Sequence, residues 1–226
     1  MNTIRLNVPA GHKLSACTRD GMRYNGMSDV LAFRGNDQHY LAATNGHCAA
    51  VVPVEVGDSA DIRLEQPMML PAKAASTGAK PSVVEINGEV RRMEMKGTLI
   101  QKTEVFPLSK DESRFPPLGQ VFPDPAELIE NYTVLSIDAK LLADLAAALS
   151  PDSKLTLFIP PPKEKAGLTT GVVVAVGTNE GSPSGVGAIV PLSYGGDNRG
   201  INIMRTYLAE HVANMPKEMV VINPSK

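Results

Sequence analysis

The chain has 226 residues, with 22 Lys and Arg against 24 Asp and Glu, for a formal net charge of -2. That length holds one large domain or two small ones. A hydrophobic fraction of 43% with only 20% charged residues excludes a disordered, solvating chain, and the near-neutral charge excludes a polybasic nucleic-acid binder, leaving only local patches for such contact.

The elements read mostly as strands. Residues 4–8 alternate, with Ile4, Leu6 and Val8 on one face. A short helix at 10–19 follows. Strands at 27–33 and 40–43 are split by the turn Arg34-Gly35-Asn36-Asp37, and a β-branched strand at 49–56 ends at Gly57-Asp58. A strand at 62–70 leads into a short helix at 71–77, with Pro71 at its first position and Gly78 as its stop. Strands at 82–86 and 89–95 flank Asn87-Gly88, the best hairpin signal in the chain, and 97–106 alternates next. The stretch 107–125 is rich in proline and charge and reads as a linker, with a composition boundary near 107–131.

Beyond it a strand at 132–137 precedes the best helix, 139–149. Asp138 is its N-cap, and Leu141, Leu142, Leu145 and Leu149 form an apolar stripe. Ser150-Pro151 ends it. Strands at 154–159, 172–176 and 186–191 are separated by loops at 160–167 and 177–185. A helix at 203–215 is stopped by Pro216, and a last strand spans 218–222.

Written in order, these elements repeat. One unit is a strand, a short helix, then three strands, and residues 2–56, 61–106 and 132–192 each fit it. The expected fold is α+β, built of repeated βαβββ units with antiparallel sheets and few short helices. It divides into a two-unit domain at 1–124 and a second domain at 125–226 holding one clear unit and a C-terminal helix and strand.

Residues 23–50, RYNGMSDVLAFRGNDQHYLAATNGHCAA, resemble a segment of the bacterial β-type sliding clamps. Arg23, Tyr24, Asn25 and Gly26 match its start; Ala43, Thr44, Gly46 and His47 match its end. Arg114-Phe115-Pro116 and Val121-Phe122-Pro123 resemble the stretch joining the clamp's middle domain to its last, and Ile189-Val190-Pro191-Leu192 resembles the close of that last domain. Residues 132–149 are similar to the strand and helix opening its second half, and all the matches are collinear with the family. The resemblance covers about residues 3–193 in shortened form, as in a phage or mobile-element homologue.

The resemblance implies a clamp-like fold and a DNA polymerase processivity factor that encircles or holds double-stranded DNA as a homo-oligomer. It also implies a groove for a short peptide of a polymerase or other replication protein, carried by Arg23, Thr44, Gly46, His47, Pro81, Val190, Pro191 and Leu192. The chain departs from the family at Cys48, Ala49 and Ser193, where the family has Arg, Leu and Arg. Helices line the hole of such rings, and their cations touch phosphates without reading bases. Lys13, Arg19, Lys73, Lys80 and Lys140 on the helix candidates are the DNA-facing set, offset by Asp20 and Asp144. The alternative is a non-ring protein-interaction module of clamp-derived fold that does not bind DNA.

Local chemistry reads Thr44-Asn45-Gly46-His47 as a tight turn. His12, His39, His47 and His211 are scattered, so no metal site is expected. No nucleotide-binding or nucleophile motif is present, no cofactor is implied, and the chain reads as a non-enzyme. Trp is absent and aromatics are 4%, which disfavours single-strand binding by base stacking. Cys17 and Cys48 are too few for a disulfide framework. With no signal-like or membrane-length apolar run, the expected location is the cytoplasm.

Overall fold

The computed structural model describes residues 3–19, 25–36, 38–46, 48–57, 64, 66–108, 112–120, 137–149, 154–159, 173–180, 182–189 and 199–222, with side chains described except at 179, 189 and 199–205. The chain divides into two compact units, one of Met1–Phe122 with Asn214–Lys226 and one of Pro123–Ala213. Residues 214–226, read from sequence as part of a second domain, thus group with the first unit.

Period-two patterning builds the first unit. Its strands are β1 (Ile4–Val8), β2 (Val30–Arg34), β3 (His39–Thr44), β4 (Ala49–Val56), β5 (Met68–Leu70), β6 (Ser82–Ile86), β7 (Val90–Lys96) and β8 (Leu99–Phe106). They form one eight-stranded sheet in the order β5-β2-β3-β4-β1-β6-β7-β8, with every neighbouring pair antiparallel. Strand β1 joins the two halves of the sheet, pairing with β4 on one side and β6 on the other, and β5 crosses to pair with β2. At the Asn87-Gly88 hairpin, Gly88 takes a positive φ of 71° and Asn87 N–H donates to Glu89 O at 3.0 Å, the conformation that makes glycine the residue of choice there.

One face of this sheet carries the main core. Leu6, Val8, Val30, Ala32, Leu41, Ala43, Val52, Val54, Val84 and Ile86 lie in it with Leu14, Ala74 and Ala75. On the opposite face of β2, β3 and β5, Leu31, Phe33, Tyr40, Ala42 and Met69 are also buried, and the Phe33 and Tyr40 rings stack with centroids 5.2 Å apart.

Neither helix expected in this unit forms. Residues 10–19 contain only a 3₁₀ turn, Leu14–Cys17, and 71–75 form turns. The physical reason is long-range. His12 N–H donates to Thr77 Oγ1, Ser15 N–H to Ser76 Oγ and Gly11 N–H to Gly78 O, while Thr77 N–H donates to His12 O and Thr77 Oγ1 to Pro9 O. Groups that a helix would bond to its own backbone are spent joining the two segments. The repeated βαβββ unit is thereby corrected for this half of the chain: no α-helix occupies its helical position among the described residues.

Arg92 on β7 ties the same turn to the sheet. Its Nη1 donates to Lys73 O at 2.9 Å and Ser76 O at 3.0 Å, and its Nη2 pairs with Glu104 at 2.6 Å. Replacing Arg92 with Ala should cost about 2 kcal/mol of the first unit's stability in urea unfolding, because the Lys73 and Ser76 carbonyls lose their donor and Glu94 and Glu104 lose a cation, Glu104 keeping Lys102. The hydrogen bond from Lys102, with the Arg92 charge adding to it, holds the Glu104 carboxyl below its ordinary value of 4.5. A carboxylate depressed in the folded state adds stability that is full above its unfolded pKa and lost as pH falls through the folded one. The urea midpoint should therefore drop as pH falls below about 4.5, and Glu104→Gln should lower the neutral-pH midpoint and remove that part of the acid dependence.

Within residues 107–125, expected as a linker, the described residues 112–120 supply packed structure instead. Strand β9 (Ser113–Phe115) and the 3₁₀ turn Leu118–Gln120 bury Ser113, Phe115 and Leu118. The C-terminal segment holds them. Strand β13 (Val220–Ile222) pairs antiparallel with β9, Gly119 N–H donates to Pro216 O at 2.7 Å, and Asn36 N–H donates to Asn214 Oδ1 at 2.9 Å.

In the second unit, helix α1 (Ala139–Leu149) forms where its leucine stripe and Asp138 cap place it, with Lys140 N–H donating to Asp138 Oδ1 at 2.8 Å. Strands β10 (Leu155–Phe158), β11 (Val173–Asn179) and β12 (Ser182–Ile189) form an antiparallel sheet in that order. Leu145 and Leu149 of α1 lie against Gly177, Gly185 and Gly187. Helix α2 (Arg199–Val212) starts four residues before the predicted 203–215 and ends three before it. The strand expected at 132–137 lies almost wholly outside the described residues. No helix among those described is long and apolar enough to cross a membrane.

Candidate functional site at the β3–β4 turn

Among the described residues, the Thr44–Gly46 run forms the turn between β3 and β4, and Asn25-Gly26 and Arg114-Phe115 lie in the same unit. The turn is built by its own side chains. Thr44 Oγ1 donates to Cys48 O at 2.7 Å and accepts from Gly46 N–H at 3.2 Å, while Asn45 Oδ1 accepts from Cys48 N–H at 2.9 Å. Gly46 has φ +82°, and a Cβ there would lie 3.3 Å from Met27 Cε. Thr44 is buried. Thr44 and Gly46 thus have structural work in closing the loop, as the local turn reading of their sequence requires.

Beneath this turn the two halves of the resemblance touch. Asn25 sits in the 3₁₀ turn Asn25–Ser28; its Nδ2 donates to Glu112 O at 2.7 Å, and its Oδ1 accepts from Arg114 N–H at 2.8 Å. Its carboxamide therefore stands in for a neighbouring strand along β9. Gly26 permits that approach, since a Cβ there would lie 2.8 Å from Arg114 O. Asn25-Gly26 and the Glu112–Arg114 segment are thus neighbours in space, though 87 to 89 positions separate the bonded residues. Their spacing in sequence carries no signal of this contact.

Pro81 is the one other expected peptide-groove residue among those described. Pro81 is exposed just before β6, and β4 and β1 lie between β6 and β3, a separation of roughly 14 Å in strand spacings. Arg23, His47, Val190, Pro191 and Leu192 lie outside the described residues.

The cations expected from sequence to face DNA are exposed but mostly not helical. Lys13 precedes the Leu14–Cys17 turn, Arg19 follows it, Lys73 lies in the 71–75 turn, and Lys80 precedes β6, where its Nζ donates to Gln101. Lys140 alone of the five lies on an α-helix, in the first turn of α1. The expected cationic helical face is corrected accordingly, because the segments bearing Lys13 and Lys73 bond to each other rather than coiling. Asp20 lies outside the described residues, and Asp144 is exposed on α1.

Sequence reading missed one close pair at this turn. Cys48 Sγ and Cys17 Sγ are 3.5 Å apart. Burial, and then the neighbouring Cys48, push the Cys17 thiol above its ordinary value of 9.0. A separation of 31 residues between two cysteines gives no spacing signal; only the packing of the 3₁₀ turn against β3 and β4 brings them together. Among the described residues no group of three or more His, Cys, Asp or Glu is placed to hold a metal ion.

No protein-family model matches the chain, and no curated protein matches it. Among solved structures the chain is similar to the beta sliding clamp of C. crescentus, at 13% identity and a TM-score of 0.33. The superposition covers 100% of this chain and 61% of that one, so the chain spans less than two thirds of that clamp's length.

Proposed function

We propose that the protein is a non-catalytic, clamp-like scaffold of DNA replication. It would assemble with further copies of itself, hold double-stranded DNA through backbone contacts, and present a peptide-binding surface to a polymerase or other replication protein. The observation that supports this reading is the continuous eight-stranded antiparallel sheet, in which β1 bridges β4 and β6 and β5 crosses to β2. One chain is too small to enclose a duplex, so the mechanism needs assembly. The sheet offers a place for it: β8 is an edge strand with Leu99, Ile100 and Val105 exposed, a template for strand addition.

Lys13, Arg19, Lys73, Lys80 and Lys140 would supply the phosphate contacts. So few cations make a weak and strongly salt-dependent grip, suited to a protein retained by topology rather than affinity. Arg23 and Leu192 belong to the proposed peptide groove.

Light scattering on size-exclusion fractions, followed by retention on circular and linear DNA, tests the reading. The expected result is a multimer that stays on circular DNA and is lost from linear DNA. A double substitution of Leu99 and Ile100 to Lys should weaken assembly by about tenfold or more, and Arg23→Ala or Leu192→Ala should weaken capture of a polymerase-tail peptide. A monomer at every concentration, indifferent to DNA topology, would overturn the proposal.

A further inference from the structure

We propose that Cys17 and Cys48 form a thiol–disulfide exchange site whose substrate class is low-molecular-weight disulfides. The inference is independent of the clamp-like reading, because it rests on the geometry of two side chains. Their sulfurs are already in contact at 3.5 Å, so an S–S bond requires an approach of only about 1.5 Å. Cys17 ends the 3₁₀ turn Leu14–Cys17, and Cys48 immediately precedes β4. Cys48 is held in the turn by Thr44 and Asn45 and Cys17 closes the 3₁₀ turn, so the two side chains are presented to each other across fixed backbone.

The two cysteines differ in access, and the difference sets the order of events. Cys48 is exposed, whereas Cys17 is partly buried against the apolar core. The Cys48 thiolate attacks one sulfur of an incoming disulfide such as oxidised glutathione. The S–S bond of the small molecule breaks, one thiolate leaves and takes up a proton, and Cys48 carries a mixed disulfide. The Cys17 thiolate then attacks the Cys48 sulfur. The second small thiolate leaves and is protonated, and the Cys17–Cys48 bond remains. In sum two protein thiols give up two electrons and two protons, and one small disulfide becomes two small thiols. Burial and the neighbouring Cys48 raise the Cys17 thiol, which makes it the slower attacker and leaves first capture to the exposed Cys48.

The product would staple the turn after β1 to the loop between β3 and β4. The cross-link would close a separation of 31 residues, constrain the unfolded chain and raise the thermal midpoint.

The test uses the whole protein in glutathione buffers of graded poise, followed by rapid alkylation and intact-mass and peptide analysis. The expected result is joint loss of both alkylatable thiols, a Cys17–Cys48 peptide without bound glutathione, and full recovery with dithiothreitol. Cys17→Ser should stop at one glutathione on Cys48, and it should need about tenfold more oxidised glutathione for half-conversion, because an adjacent thiol acts at high effective concentration. The oxidised protein should melt on the order of 5 °C higher than the reduced one, with no such shift in Cys48→Ser. Circular dichroism of the two variants controls for folding, and Cys17→Ala is the substitute if the serine is not tolerated. Thiols that remain alkylatable in the most oxidising buffer would overturn the site. So would separate glutathione adducts on both cysteines, or disulfides only between chains.

Discussion

Phe115→Ala should cost about 3–5 kcal/mol of the first unit's stability in chemical denaturation. Phe115 is fully buried, at 0% exposure, in a short strand paired on one side with β13. The segment bearing it is fixed by the Asn25 carboxamide and followed by buried Leu118. Removing the ring leaves a cavity that three residues of strand are poorly placed to collapse around. Exposed Arg114, one position away, pairs among the described residues with Glu112 beside it on the same segment. Its replacement by Ala should change stability by no more than about 0.5 kcal/mol. The contrast decides between a linker and a structural element: in a true linker both substitutions would be nearly silent.

Gly177→Ala should be the most damaging single methyl in the second unit, costing about 1–3 kcal/mol or more. A Cβ on Gly177 would run into the carbonyl oxygen of Leu149 and lie 2.8 Å from its Cβ. Helix α1 would have to lift from the sheet, and the bond from Ser184 Oγ to Leu149 O would go with it. Gly187→Ala is the informative comparison. There the added methyl meets Leu145 Cδ1 at 2.6 Å and Leu149 Cδ1 at 2.8 Å, the ends of flexible side chains that rotate away. Amide exchange across 139–149 should therefore speed up strongly in Gly177→Ala and only mildly in Gly187→Ala. Equal effects would mean that the helix is not held by close backbone approach.

These two sites show where sequence reading succeeds and where it stops. The leucines at 141, 142, 145 and 149 predict a helix with an apolar stripe, and α1 occupies the expected residues. That Leu145 and Leu149 of the stripe meet glycines on β11 and β12 while Leu141 stays exposed is invisible in a periodicity argument, because the loop at 177–185 looks like a flexible, glycine-rich connection. The structure makes it a strand pair, with Gly177 opposite Gly185. Proline and charge likewise disguise 107–125, because β9 owes its place to Asn25 and to a strand more than a hundred residues later.

The candidate site was legible in part. The turn chemistry of Thr44-Asn45-Gly46 was apparent from residue type alone, since a short hydroxyl and a short amide beside a glycine satisfy a loop locally. The partnership of Asn25 with β9, the anchoring by Arg92 and the contact of Cys17 with Cys48 all join segments distant in sequence, and no pattern within either segment announces the other.

By itself the sequence determined the alternating strands, the Asn87-Gly88 hairpin, helix 139–149 and the near-neutral charge that limits any grip on DNA. Those are properties of neighbouring residues, set by side-chain alternation, turn conformation and capping. The tertiary structure decided the rest: how β1 bridges β4 and β6 while β5 crosses to β2, why 10–19 and 71–77 knit together instead of coiling, and how the C-terminal segment returns to the first unit. Hydrogen-bonding groups there had local partners available. Partners brought by folding from some 65 residues away bound Ser15 and Thr77 instead, and that competition is settled only in the assembled core.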